Sequence, residues 1–429
     1  MSTAQDKGRR PSNPPLGASI ALGLVVVAAA ISLSGLGRHF DLLKAAEPPF
    51  VVASSRDAGP GTLRDAILAA DRLSSHAHIV ITAERIALDS PLPALVNPRG
   101  VQIDAGAHEG LIDAAHQATG PTLQINSPFT EIKGLRIAGA PVSGIVVNAP
   151  GARLDGVQIA DSKAGILIYP TARGTIVENS VLQHDQTGIV VSPGVEDVAL
   201  LNSIFRLDTR AGLWYVGPLA RVEGARIIRT PSDDEPGLRV VDSVFDKDAE
   251  GAVLANQSAL LQRTRFLASR GTAIVILGGS VSIRRAEIRG SGGPAVSISS
   301  GAHVQIAQST LIDNASSAIM ARDSDLTVEG NTLEHNGLGI VSIGGSSFTP
   351  VIRDNLITGS TGDAITLIGG PMLIEHNRLL HNHGAALRPF DFVQRQTRFD
   401  AAPKLEGDTF RANGLDVAPT TTYTLRGAP

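Results

Sequence analysis

The sequence predicts an all-β solenoid in which short coils stack one on the next, and three observations carry that prediction. The composition is the first: 45 glycines and 43% apolar residues stand against only 3% aromatics in 429 residues, so any large core must be built from Ile, Val, Leu and Ala. The second is a recurring segment, Gly144-Ile145-Val146-Val147, Gly165-Ile166-Leu167-Ile168, Gly188-Ile189-Val190-Val191, Gly212-Leu213-Trp214-Tyr215, Gly251-Ala252-Val253-Leu254 and Gly339-Ile340-Val341-Ser342. The third is an apolar strand that ends in a polar residue and recurs between these segments. Its closing residues Asn179 and Asn202 are 23 residues apart, and Asn355 and Asn377 are 22 apart. A four-residue strand with one apolar face cannot bury that face alone, but a stack of coils buries it continuously.

Composition also excludes several classes. With no cysteine there is no disulfide scaffold, cysteine zinc module or thiol chemistry. A formal net charge of -4 with 18% charged residues describes neither a basic nucleic-acid binder nor a charge-driven disordered chain. The glycines follow no Gly-X-Y period, which excludes collagen.

Taken in order, residues 1–17 form a short tail with Lys7, Arg9 and Arg10. Residues 18–36 carry no charge and are close to the roughly 20 residues that span a bilayer as a helix. The flanking charges place the N-terminus in the cytoplasm and residues beyond 50 on the extracytoplasmic, periplasmic side. A cleaved signal peptide, giving a secreted or periplasmic chain, is the alternative. After a linker over 37–49, residues 50–100 form a cap: strand 50–53, the turn Asp57 to Gly61, a helix over 62–73, and strand 78–82. Thr62 and Asp65 approximate a capping box, and Leu63, Ala66, Ile67 and Ala70 recur at helical spacing. About 14 coils then fill residues 101–417. At one strand spacing of about 4.8 Å per coil, they make a solenoid roughly 65 Å long. Residues 418–429 read as a loose tail.

The repeats resemble the right-handed parallel β-helix family, the architecture of pectate-lyase-like proteins, over about three quarters of the chain. Gly61-Thr62-Leu63-Arg64-Asp65-Ala66-Ile67 is similar to the Gly-x-Leu-Arg-x-Ala-Ile leader of bacterial β-helix surface proteins. The resemblance implies a single right-handed parallel β-helix and makes sugar polymers the commonest partner. It transfers no catalytic residue. Of the polygalacturonase-like signatures only Asp233-Asp234 occurs, and the Asp-Pro-His-Asp of alginate epimerases is missing. Asn179, Asn202, Asp242, Asn331, Asn355 and Asn377 read as one structural column of stacked side chains.

Four groups remain as candidate sites. Asp233, Asp234 and Glu235 sit together in a Pro/Gly loop. They suit paired-carboxylate glycoside hydrolysis or a calcium ion, and equally a solvated turn. Trp214, the sole tryptophan, lies between inward Leu213 and Tyr215 and so faces outward, and with Tyr169 it offers a stacking surface for sugar rings. Arg239, Arg263, Arg265, Arg284, Arg285 and Arg289 fall on successive coils, where they can track the carboxylates of an acidic polymer or pair with interleaved acids. His381 and His383, with His376, invite a metal reading. However, His184 and His335 occupy the same turn as His381 in earlier coils, which makes it a turn residue first. The functional expectation is a membrane-anchored β-helix that binds or cleaves a polysaccharide by lyase, epimerase or hydrolase chemistry, with calcium as the one possible cofactor. Its rival is a non-catalytic surface scaffold for interaction, assembly or adhesion.

Overall fold

Three short strands make each coil in the computed structural model, which describes residues 48–106, 110–216, 237–344, 347–394 and 397–424. One coil runs Arg153–Asp155, Gln158–Ala160 and Ala164–Ile168, and each strand pairs in parallel with its counterpart 23 residues on: Arg153 with Ile176, Gln158 with Val181, Ala164 with Thr187. The repeat pattern showed two strands per period. The third, such as Val181–Gln183, starts two residues after the second and reads in sequence as its continuation. These third strands form a ladder of 14, beginning at Arg85–Ala87 in the cap, and the solenoid has about 13 turns. The other two sets are joined into one ladder of 28 because Glu250–Gln262 and Ile274–Arg284 run unbroken around a corner.

Helix α1 (Leu63–Ala70) covers the first coil with Leu63, Ala66, Ile67 and Ala70. The Thr62 hydroxyl accepts the Asp65 amide at 3.3 Å, and the Asp65 carboxylate accepts the Gly61 amide at 3.2 Å, a capping box closed by aspartate. The helix stops at Ala70, short of residue 73, because the Asn97 side chain donates to the Ala70 carbonyl at 2.8 Å. Asp71 is engaged as well, taking the Val96 and Asn97 amides. The apolar run at 18–36 lies outside the described residues. Among the described residues no helix is long and apolar enough to cross a membrane.

The interior is a stack of aliphatic columns. Leu154, Val177, Leu200, Val240, Leu261 and Ile283 follow one another in register and are fully buried. Aromatics interrupt this pattern in the middle coils. There Phe205, Phe245 and Phe266 stack face to face with ring centroids 4.6 Å apart, and Tyr215 is buried nearby. Three consecutive rings at the strand spacing form the continuous offset stack that parallel in-register pairing imposes.

The Gly-Ile-x-Val glycines are required by crowding. A Cβ on Gly188 would lie 2.6 Å from the Gly212 carbonyl oxygen, 2.7 Å from Asp208 Oδ2 and 2.9 Å from Phe205 Cδ1. The first strand of each coil thus passes too close to the third-strand core for any side chain.

The asparagine column divides into two. Asn179, Asn202 and Asp242 are exposed turn residues with φ near +50°. Asn331, Asn355 and Asn377 sit one residue later, at the buried position that Ser180, Ser203 and Ser243 hold in earlier coils. Only the second set is a hydrogen-bonded interior ladder. Asn355 Oδ1 accepts both the backbone and side-chain N–H of Asn331 at 2.9 and 3.1 Å, and its Nδ2 donates to the Val328 and Arg353 carbonyls at 2.9 and 2.8 Å. Asn355→Ala strands these buried partners, and urea unfolding should show a loss of about 2–4 kcal/mol.

Candidate functional site

One turn of the coil, the one that follows the third strand, builds the main cleft. Over four coils it supplies Gln186, then Thr209 and Arg210, then Ala249 and Glu250, then Arg270 and Gly271, and the adjoining strand contributes Trp214. The cleft is open and has a volume of about 660 Å³. Its floor is held by backbone bonds between coils: Thr209 N–H to the Asp185 carbonyl at 2.9 Å, Arg210 N–H to Gln186 at 2.8 Å, and Gly271 N–H to Ala249 at 2.8 Å. These bonds fix the spacing of the side chains along the solenoid axis.

Trp214 pairs with Val190 before it and Val253 after it, and its ring lies on the outer face, half-buried. The Arg210 guanidinium lies over that ring, 3.7 Å from its centroid. Such a stack presents a flat cation to the cleft while keeping the donors at its edge available. Arg270 Nη2 donates to the Asp208 carbonyl at 2.9 Å, which ties the far wall to the floor. Burial pushes the Glu250 carboxyl above its ordinary pKa, opposed by the charge of Arg210. The cleft therefore combines an aromatic ring covered by one guanidinium, a second guanidinium, an amide, a hydroxyl and one carboxyl group with raised proton affinity. It can bind a polyhydroxylated ring.

The structure gathers few of the sequence candidates here. Trp214 lines the cleft with the predicted outward orientation. Tyr169 is 42% exposed, two coils away and two residues past the Trp214 column, and it does not line the cleft. The arginines are not one column. Arg239 is an exposed strand residue opposite Ala199 and Leu260, whereas Arg263 and Arg285 are turn residues with φ near +50°. Arg265 and Arg289 lie in third strands and share Glu287, at 3.0 and 3.7 Å. Arg263 grips Asp242 through two 2.7 Å bonds, and that bond holds the Asp242 carboxyl below its usual range. Arg285 donates to Gln308 at 3.1 Å. Pairing along the coils accounts for Arg263, Arg265, Arg285 and Arg289, and neither they nor Arg239 line the cleft.

His381 is an exposed turn residue with φ +56°, and His383 contacts the Ser360 carbonyl at 3.2 Å, with His376 at a different corner. Among the described residues no three His, Asp or Glu side chains converge to hold a metal. Asp233, Asp234 and Glu235 lie outside the described residues, and the calcium reading that rests on them goes untested. The segment around them is an insertion. Val198–Leu201 pairs directly with Leu238–Val241, so residues 217–236 fall in sequence between two strands of one coil.

Sequence reasoning missed Arg210, Glu250 and Arg270. The available signal was their place one or two residues after the inward-facing acids Asp208 and Asp248 and the equivalent Ser269. Seeing it requires aligning coils across the insertion.

Comparison with known proteins supports the same architecture. Residues 231–390 match the family described as the right handed beta helix region. No curated protein matches the chain. Among solved structures, the catalytic unit of a thermostable GH87 α-1,3-glucanase from Streptomyces thermodiastaticus is similar over 85% of this chain and 69% of its own, with a TM-score of 0.50 at 13% identity. The mannuronan C-5 epimerase A-module from Azotobacter vinelandii covers 88% and 98%, with a TM-score of 0.39 at 12% identity. The likeness to the glucanase, at 13% identity, speaks to fold alone. With parallel coils stacked in register and residues 231–390 matching the right handed beta helix region, the described chain folds as a right-handed parallel β-helix.

Proposed function

We propose that the Trp214 cleft binds a linear polysaccharide laid along the solenoid axis. The observation that carries this reading is the convergence of the chain's sole tryptophan with Arg210, Arg270, Gln186, Thr209 and Glu250 in one open cleft spread over four coils. Sugars present an apolar ring face and a rim of hydroxyls, and this lining offers a partner to each. One similar solved structure is the catalytic unit of an α-1,3-glucanase, which fits the same substrate class.

The reading is carbohydrate binding by the β-helix, with Glu250 as the carboxyl group among the described residues lining the cleft. Residues 18–36 would tether it to the membrane, with the solenoid on the extracytoplasmic side.

The test is calorimetric titration of the full-length chain with neutral and uronic-acid polysaccharides, together with assays for new reducing ends and unsaturated products. Trp214→Ala is expected to weaken binding about tenfold or more, and Arg270→Ala by a similar factor. Equal affinity in both variants and the parent would place the ligand elsewhere.

A further inference from the structure

Directly beneath the cleft lies a ladder of buried acids that the binding reading does not use. Asp185, Asp208 and Asp248 are fully buried on successive coils. Each Oδ1 accepts the amide of the coil before it: Ser162 to Asp185 at 2.7 Å, Asp185 to Asp208 at 2.9 Å, and Asp208 to Asp248 at 3.0 Å. Each Oδ2 has no hydrogen-bond partner. These oxygens press against Gly165, Gly188 and Gly212, where an added Cβ would lie 2.9, 2.7 and 2.7 Å from them.

Later coils show what this position needs. Asn314, Asn336 and Asn382 occupy it there, accept the same backbone amide through Oδ1, and donate Nδ2 to the Ile288, Leu311 and Ile357 carbonyls at 3.3, 2.9 and 3.1 Å. By register the matching carbonyls in the acid coils belong to Ile159, Leu182 and Phe205. A carboxylate has no proton to give a carbonyl, but a neutral carboxylic acid has one. Asparagine thus satisfies the ladder in those later coils, and the acids fall on the coils whose next residues, Gln186, Thr209 with Arg210, and Ala249 with Glu250, line the cleft.

We propose that Asp185, Asp208 and Asp248 form a proton-held clasp that keeps the coils beneath the cleft ordered while neutral and loosens them on ionisation. Burial dominates the proton affinity of all three and raises them to about 8, 9 and 7, respectively. The acids repel one another within the ladder. Asp161 repels Asp185 from the preceding turn, and Asp246 repels Asp248 from its own strand. Arg270 attracts Asp248 and, among the described residues, is the cation acting on the group. Because the folded values lie above the ordinary 3.8, the stabilisation is complete below about pH 4 and is lost as pH rises through 7 to 9. The cleft would lose its fixed side-chain spacing over the same range, a consequence that rests on the carbohydrate reading.

Hydrogen exchange of the full-length chain at pH 6 to 9, expressed as protection factors corrected for intrinsic rates, tests the clasp without any ligand. Protection of the Ser162, Asp185 and Asp208 amides should fall about tenfold or more across that range, whereas the Ser309 and Asn314 amides of the asparagine ladder should change less than about twofold. The variant with all three acids changed to Asn should keep its protection, and Asp208→Asn alone serves if the triple variant does not fold. Protection independent of pH in the parent chain, or an equal fall in the Asn variants, overturns the proposal. The exchange result and the carbohydrate reading can each fail while leaving the other intact.

Discussion

Phe245→Ala is expected to cost about 3–5 kcal/mol, read as a shift in the urea midpoint followed by circular dichroism. The ring sits between Phe205 and Phe266 at 4.6 Å on each side and is fully buried. Its removal leaves a gap that neither neighbour can fill, because their strands are locked in register on both sides. In a solenoid each coil touches only its neighbours, so this gap also weakens the single interface that joins the two halves. The transition should therefore broaden as well as shift. Phe245→Leu keeps most of the volume and should recover more than half of the loss. If the alanine variant unfolded at the parent midpoint, the ring stack would contribute nothing to holding the middle coils.

Gly188→Ala is expected to be comparably damaging although it adds a single methyl group. That methyl would meet backbone, a buried carboxyl oxygen and a core ring, all within 3 Å. The Gly212 oxygen cannot retreat without breaking the parallel pairing of Thr187–Val191 with Ala211–Val216. Overpacking of this kind typically costs about 1–3 kcal/mol, and three simultaneous clashes put the expected loss at or above the top of that range. Gly194→Ala is the informative control. Gly194 has φ +78° and nothing within 4 Å of an added Cβ, so the variant suffers only backbone strain of about 1–2 kcal/mol. Equal losses for the two would mean that backbone conformation, and not the close approach of strands, selects the repeat glycines.

The period was legible because every coil repeats one physical requirement: an apolar residue facing inward at each strand and a glycine where two strands crowd. Register within the turns was not. Asn179-Ser180 and Gly330-Asn331 both place an asparagine at the end of a strand, yet one residue of offset moves it from an exposed, positive-φ corner to the buried ladder. The arginines misled in a similar way. Their spacing along the chain is near one coil, but Arg239 lies in a strand, Arg263 in the turn after that strand's counterpart in the next coil, and Arg265 in a third strand.

At the cleft, Trp214 was legible because strand alternation settles which way it faces. Arg210 and Glu250 are 40 residues apart, and only the pairing of Ala211 with Glu250 across the insertion places them side by side. Neither carries a motif, since each is a single residue of a turn that other coils fill differently. The carboxylates of Asp233, Asp234 and Glu235 and the apolar run at 18–36 were the most visible features of the sequence, and both lie outside the described residues.

Because Trp214 is the only tryptophan, its emission reports on the cleft with no background from elsewhere in the chain. The most direct measurement is a fluorescence titration of the full-length protein with neutral and uronic-acid polysaccharides, run beside calorimetry. The account predicts a saturable change in Trp214 emission whose midpoint matches the calorimetric affinity for at least one polymer. Calorimetric binding with unchanged Trp214 emission, or no binding by any polymer, would contradict it.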